Sequence, residues 1–160
     1  MNRFIISVVL ILISSICFSQ DLKMELEIET CIDTSSQNNV TFIIENLTDS
    51  DIWINPLYLT FSFGIYSEDG NIVSRKTTRH LSGLKSEYLK VDKKSKKELK
   101  WTADFFDNYQ FELNKEYYLE CGYEPPYLRR KEKRKLKESN IFLSENRFDG
   151  KSNLFRICKI

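Results

Sequence analysis

From Leu22 to Glu29 the chain alternates without a fault, with Leu22, Met24, Leu26 and Ile28 on one side and Lys23, Glu25, Glu27 and Glu29 on the other. Successive side chains of a strand point to opposite faces, so this period of two demands one buried face and one wet face. Val40, Phe42 and Ile44 repeat the pattern and run into Asn46-Leu47-Thr48-Asp49-Ser50-Asp51, side chains that favour turns by bonding their own backbone. Ile52 to Ile54, ended by Asn55-Pro56, makes a third strand. Leu57, Leu59, Phe61, Phe63 and Ile65 form the longest alternating row, which is expected to be the central core strand, with Tyr58, Thr60, Ser62, Gly64 and Tyr66 on its reverse face.

Ser67-Glu68-Asp69-Gly70-Asn71 supplies a glycine for a tight connection, and Ile72 and Val73 resume the β pattern, so a hairpin is expected here. Residues 74 to 87 have no period and read as loop. Tyr88 to Val91 and Glu98 to Ala103 are shorter strands, the second placing Leu99, Trp101 and Ala103 on one face, and Asp104 to Gln110 reads as one irregular helical turn. Tyr117, Leu119, Cys121 and Tyr123 alternate cleanly in a strand that ends at Pro125-Pro126. From Tyr127 to Ser139 the composition switches to Lys, Arg, Glu and Leu, good helix formers following a proline suited to a first helical turn. With only Tyr127, Leu128 and Leu136 as apolar content, this basic insertion is expected to be a short, exposed helix or loop. Ile141 to Leu143 and Leu154 to Ile160 supply closing strands.

The start of the chain is of a different kind. Met1, Asn2 and Arg3 precede an apolar run from Phe4 to Ile13 and a small-residue exit at Ser14 to Ser19, the layout of a secretory signal peptide, with Cys17 and Ser19 at the positions that the peptidase requires small. The run is shorter than the roughly 20 apolar residues of a membrane span. Cleavage after residue 19 of the 160 leaves 141 residues, Gln20 to Ile160, read as a single domain with no transmembrane segment. Attachment of lipid at Cys17 is the alternative, disfavoured by Ile16 immediately before it. The Phe18-Ser19-Gln20 ending and the richness in Lys, Ile and Asn resemble exported proteins of Gram-negative bacteria, which implies a secreted or periplasmic location.

Loss of the leader takes Arg3 from the 24 Lys and Arg, leaving 23 cations against 23 Asp and Glu. A neutral chain is unsuited to nucleic acid, where affinity is built on phosphate neutralisation. The charges are nevertheless segregated, acidic from Asp21 to Asp51 and basic from Arg129 to Lys137.

Short strands at regular spacing joined by Asn, Asp, Gly and Pro turns imply an all-β fold. Val40 to Asn46, the hairpin from Leu57 to Val73, and Tyr117 to Tyr123 resemble the small immunoglobulin-like domains of exported bacterial proteins, and that resemblance implies an antiparallel two-sheet sandwich. The antibody-type core is absent, since Leu119 rather than Tyr lies two residues before Cys121. In such a sandwich the first strand runs parallel to the last, which brings Cys31 and Cys158 to the same end and implies a disulfide between them; Cys121 with Cys158 is the other pairing considered.

Chemistry is sparse. His80, the only histidine, stands in the aperiodic stretch beside Arg79, and nucleophilic catalysis needs such a base within reach of Ser or Cys. No catalytic residue is assigned, no metal set has the spacing that zinc requires, and no glycine-rich phosphate loop or other cofactor motif is present. Asp49-Ser50-Asp51 and Glu68-Asp69-Gly70-Asn71 lack full calcium-loop spacing and read as turns. Asn39-Val40-Thr41 and Asn46-Leu47-Thr48 match the glycosylation pattern but read as strand and turn.

Binding features are richer. Trp53, Tyr58 and Tyr66 are candidates for stacking on sugars or anchoring a protein, and Arg129, Arg130, Lys131, Lys133, Arg134, Lys135 and Lys137 for docking on an anionic surface. The expectation is an exported, non-enzymatic domain that recognises another macromolecule, an unknown protein or envelope glycan, in the periplasm or at the cell surface. An inhibitor or immunity-type protein and a small hydrolase using His80 are the alternatives.

Overall fold

The computed structural model describes residues 21–60, 63–76, 87–103 and 106–159. The leader with Cys17, Phe61, Ser62 and His80 lie outside the described residues. In chain order the elements are β1 (Leu22–Ile28), β2 (Cys31–Asp33), β3 (Asn38–Asn46), β4 (Ile52–Ile54), β5 (Gly64–Ser67), β6 (Leu89–Val91), β7 (Lys96–Ala103), β8 (Glu116–Tyr123), helix α1 (Arg130–Glu138), β9 (Phe148–Lys151) and β10 (Phe155–Lys159).

The alternating rows behave as strands with one wet face. In β1 all four apolar residues are buried and the charges between them exposed, and β1 pairs antiparallel with β3, Leu26 opposite Phe42. On its other side β3 pairs with β7, completing a three-stranded sheet in the order β1-β3-β7. A second sheet runs β2-β10-β8-β5 and curls as a half-barrel, with β9 end to end with β10 along the same edge of β8. The short pair β4-β6 forms a third. The chain is therefore all-β in character with predominantly antiparallel pairing, and among the described residues no helix is long and apolar enough to cross a membrane.

Ser152 and Asn153 stand where the first two sheets meet, Ser152 bridged to Leu26 of β1. Where β9 gives way to β10, the Ser152 hydroxyl accepts the Leu119 N–H at 2.9 Å, so the β8 ladder is not left unpaired. Next to it, Asn153 accepts from the Ile28 N–H at 2.9 Å and donates to the Ile28 carbonyl at 3.0 Å, clipping the end of β1. Gly150 lets β1 and β9 come this close: a Cβ there would lie 2.6 Å from Leu26 Cδ1 and 2.9 Å from the Met24 carbonyl oxygen. Between the sheets Phe42 stacks on Trp101 with centroids 6.0 Å apart, and Phe155, Ile157, Leu119 and Ile65 fill the core from the other side.

Four local expectations are corrected. The row from Leu57 to Ile65 is not a central strand: Pro56–Thr60 is a 3-10 turn, and β5 begins only at Gly64. Asn55 is the cause, because its side chain accepts the Leu57 N–H at 3.1 Å and its carbonyl the Tyr58 N–H at 3.0 Å, winding the chain before it extends. Ile141 to Leu143 forms no strand, only a parallel bridge from Leu143 to Trp53. Pro126 does not open the helix, which starts after Arg129, whose N–H donates to Glu132 Oε2 at 2.7 Å. The parallel partner of β10 is β2 and not the first strand, which pairs with β3. The hairpin at Gly70 does form, with φ of 85° at the glycine and Tyr66 bridged to Ile72.

A disulfide joins Cys31 to Cys158 across the β2–β10 pair, with Cα atoms 5.6 Å apart, and Cys121 is a buried free thiol.

Candidate functional site

The basic insertion is a hairpin arm thrown out between β8 and β9. It leaves the sheet through Glu124 and the stiff Pro125-Pro126 pair, and α1 then buries none of its residues. A short isolated helix is marginal in water, so its ends matter. Glu132 satisfies the Arg129 N–H at the start; at the finish Asn140 takes a left-handed φ of 55° and Ile141 N–H donates to the Leu136 carbonyl at 2.9 Å. Between α1 and the arm's two stems runs an open groove of about 670 Å³, lined by Pro125, Tyr127, Leu128, Leu136, Ile141 and Phe142, with Lys133 and Lys137 also facing it.

The arm carries all seven basic residues singled out from sequence: Arg129, Arg130, Lys131, Lys133, Arg134, Lys135 and Lys137, all exposed. Among the described residues only Arg134 of these is in an ion pair, with Glu138 at 3.4 Å. Two exposed aromatics flank them, Tyr127 at 96% and Phe142 at 58% exposure. Phe142 carried no distinguishing sequence signal, because Ile141-Phe142-Leu143 reads as a short closing strand.

The aromatic candidates do not come together as one face, and this corrects the expected row. Tyr58 belongs to the 3-10 turn and is half-buried against the core. Tyr66 lies on β5, stacked on Tyr118 at 5.4 Å, and Lys151 Nζ caps the Tyr118 ring at 3.3 Å. Trp53 lies on β4, its N–H bonded to the Phe142 carbonyl at 2.9 Å and its carbonyl to the Ser144 N–H at 2.8 Å, so the returning stem of the arm is laced to it. It borders a groove of about 1110 Å³ that shares Phe142 to Glu145 with the arm's own groove.

Part of the charge in that larger groove is matched within it. Lys90 bridges Asp51 and Asp92 at 2.7 Å each, and the Lys93 N–H donates to Asp51 at 3.0 Å. The Lys90 hydrogen bond, with the Lys93 backbone second, holds the Asp51 carboxyl below its ordinary range. Such a network orders that part of the surface and keeps Asp51 and Lys90 engaged with each other. Among the described residues no cluster of His, Cys, Asp and Glu could hold a metal ion. The two carboxylate-rich turns have local roles: Asp69 accepts from Asn71 at 2.7 Å and from Ser67, and Asp51 accepts as above. Asn46 is fully buried, donating to the Ser50 and Val91 carbonyls at 2.8 and 3.0 Å, so its side chain is structural.

Cys121 lies in the core against the Leu59 carbonyl, where burial first and Asp149 second push its thiol up to about 12. A thiol this protonated is a poor nucleophile. Folded protein comprising residues 20–160 therefore takes up no iodoacetamide near neutral pH; unfolded without reductant it takes up one equivalent, and with reductant three. Rapid alkylation of the folded protein would contradict this placement. No family model matches the chain, and comparison with curated proteins found no match.

Proposed function

We propose that residues 20–160 are an exported, non-enzymatic binding domain of immunoglobulin-like architecture, which recognises another macromolecule in the periplasm or at the cell surface through the arm at 127–139. The observation that carries this reading is α1 itself, a helix with capped ends and no buried residue, which with Arg129 just before it holds seven cations away from the sheets. Exposed ion pairs contribute little to stability, so the fold has no need of such an element for its own sake. The Cys31–Cys158 bridge supports export, because disulfides persist in oxidising compartments. The parallel β2–β10 pairing, with the chain passing from β1 in one sheet to β2 in the other, supports the immunoglobulin-like reading.

The test replaces all seven arm cations with glutamine and measures retention of the mature protein on envelope fractions of its own cell at low and high salt. Wild type is retained at low salt and released at high salt, and the variant loses at least about tenfold in retention. Unchanged, salt-insensitive retention would remove the arm from the function.

A further inference from the structure

We infer that the partner of the arm is the surface of a phospholipid membrane bearing anionic headgroups, with Tyr127 and Phe142 entering the interface while the cations lie along the phosphates. This rests on the reading above that the arm is the contact element. Three features of the arm point to lipid.

The first is charge. Seven cations and the two carboxylates Glu132 and Glu138 give residues 127–139 a net charge of +5 in a chain whose mature part is neutral. Anionic lipid surfaces attract such a cluster without requiring any particular geometry of each side chain. The second is the placement of the apolar groups. Tyr127 and Phe142 stand on the two stems of one hairpin, exposed at 96% and 58%, and border a single groove with Leu128, Leu136 and Ile141. Aromatic rings with Lys and Arg beside them are the pattern of an element that lies in the headgroup region, and stable attachment takes both an apolar and a basic contribution.

The third is what the arm lacks. Protein–protein interfaces are anchored by side chains that fill closed, desolvated pockets and are depleted of lysine at their cores. Four of the seven cations here are lysines, Lys131, Lys133, Lys135 and Lys137, and the groove beside them is open. Carboxylates near the stems do not oppose the approach equally. Glu124 is paired with Arg147 at 3.2 Å, whereas the exposed Glu145 borders the same groove and sets one negative charge against the seven cations.

The experiment uses the mature chain and two vesicle preparations, phosphatidylcholine alone and phosphatidylcholine mixed with phosphatidylglycerol. Wild type binds the mixed vesicles, fails to bind the neutral ones, and is released by salt. Each cation replaced by glutamine weakens binding by roughly fivefold. Replacing Tyr127 and Phe142 together with serine, all charges kept, weakens it by about tenfold. In a Tyr127→Trp variant the added fluorescence is quenched by brominated acyl chains. All these positions are exposed, and thermal unfolding of each variant verifies that the domain is intact.

Vesicle binding that ignores the aromatic replacements and shows no quenching overturns the insertion inferred here. Retention on envelope fractions with no binding to either vesicle overturns it also, naming a protein or glycan partner and leaving the proposed function standing. Absence of both kinds of binding overturns both.

Discussion

Replacing Cys31 and Cys158 together with serine lowers the stability of the domain at residues 20–160 by about 5 kcal/mol. The bond closes 127 residues of the 160-residue sequence, and loop-closure entropy grows with the logarithm of that length. What it holds is otherwise weak: β2 has three residues, and its ladder with β10 shifts register between Ile157 and Lys159. A domain of this size has only about 5–15 kcal/mol in hand, so the double variant lies close to its unfolding threshold. Urea unfolding of the oxidised protein and the variant measures the difference. The slope rises somewhat in the variant, because its unfolded chain is no longer closed. A loss below about 1 kcal/mol would show that the bridge contributes little to holding the chain ends.

Phe42→Ala costs about 4 kcal/mol. Phe42 is fully buried at the middle of β3, opposite Leu26 on β1 and Leu99 on β7, and its ring stacks on Trp101. Truncation removes apolar contact with both neighbours and leaves a cavity that a paired central strand cannot close. Trp101, only 2% exposed, reports the change directly through a red shift of its emission. The control is Phe142→Ala on the arm, where an exposed ring is lost and stability stays within about 0.5 kcal/mol of wild type. Equal effects of the two would mean that the three-stranded sheet is not the core described here.

These two phenylalanines show what was legible in the sequence and what was not. Phe42 was readable because its strand has one wet face, so its neighbours Thr41 and Ile43 are less deeply buried and the alternation survives. Phe142 was not, because Ile141-Phe142-Leu143 looks the same whether the three residues enter a core or border an open groove. The row from Leu57 to Ile65 misled for a related reason. Its alternation is genuine, but Asn55 and Pro56 bend the backbone locally, and a local hydrogen bond outweighs a hydrophobic period that packing can satisfy in another way. The expected aromatic face of Tyr58 and Tyr66 fell with that strand.

The strand β9 was missed because Phe148-Asp149-Gly150-Lys151 carries the composition of a turn. Its extended form is imposed by the free edge of β8 and by the need for a glycine where β1 passes at close range, both set by tertiary structure. The arm was the reverse case. A dense run of helix-forming cations with little apolar content can only be an exposed helix or loop, and α1 is such a helix, displaced by a few residues from the proline expected to open it. Of the candidate binding residues, the seven cations stay together on one arm, six of them on α1, whereas Trp53 joins them only through the backbone bonds that lace β4 to the returning stem.

The proposed export of this chain, the bridge across its ends and the proposed presentation of its arm to an envelope component all require one covalent form. Intact mass of the protein isolated from its own cells, alkylated without reductant after unfolding, determines that form. The account predicts a chain beginning at Gln20, lighter by the two hydrogens lost in the Cys31–Cys158 bond, with a single alkylated thiol at Cys121. A chain that still begins at Met1, with every cysteine alkylated, would contradict it.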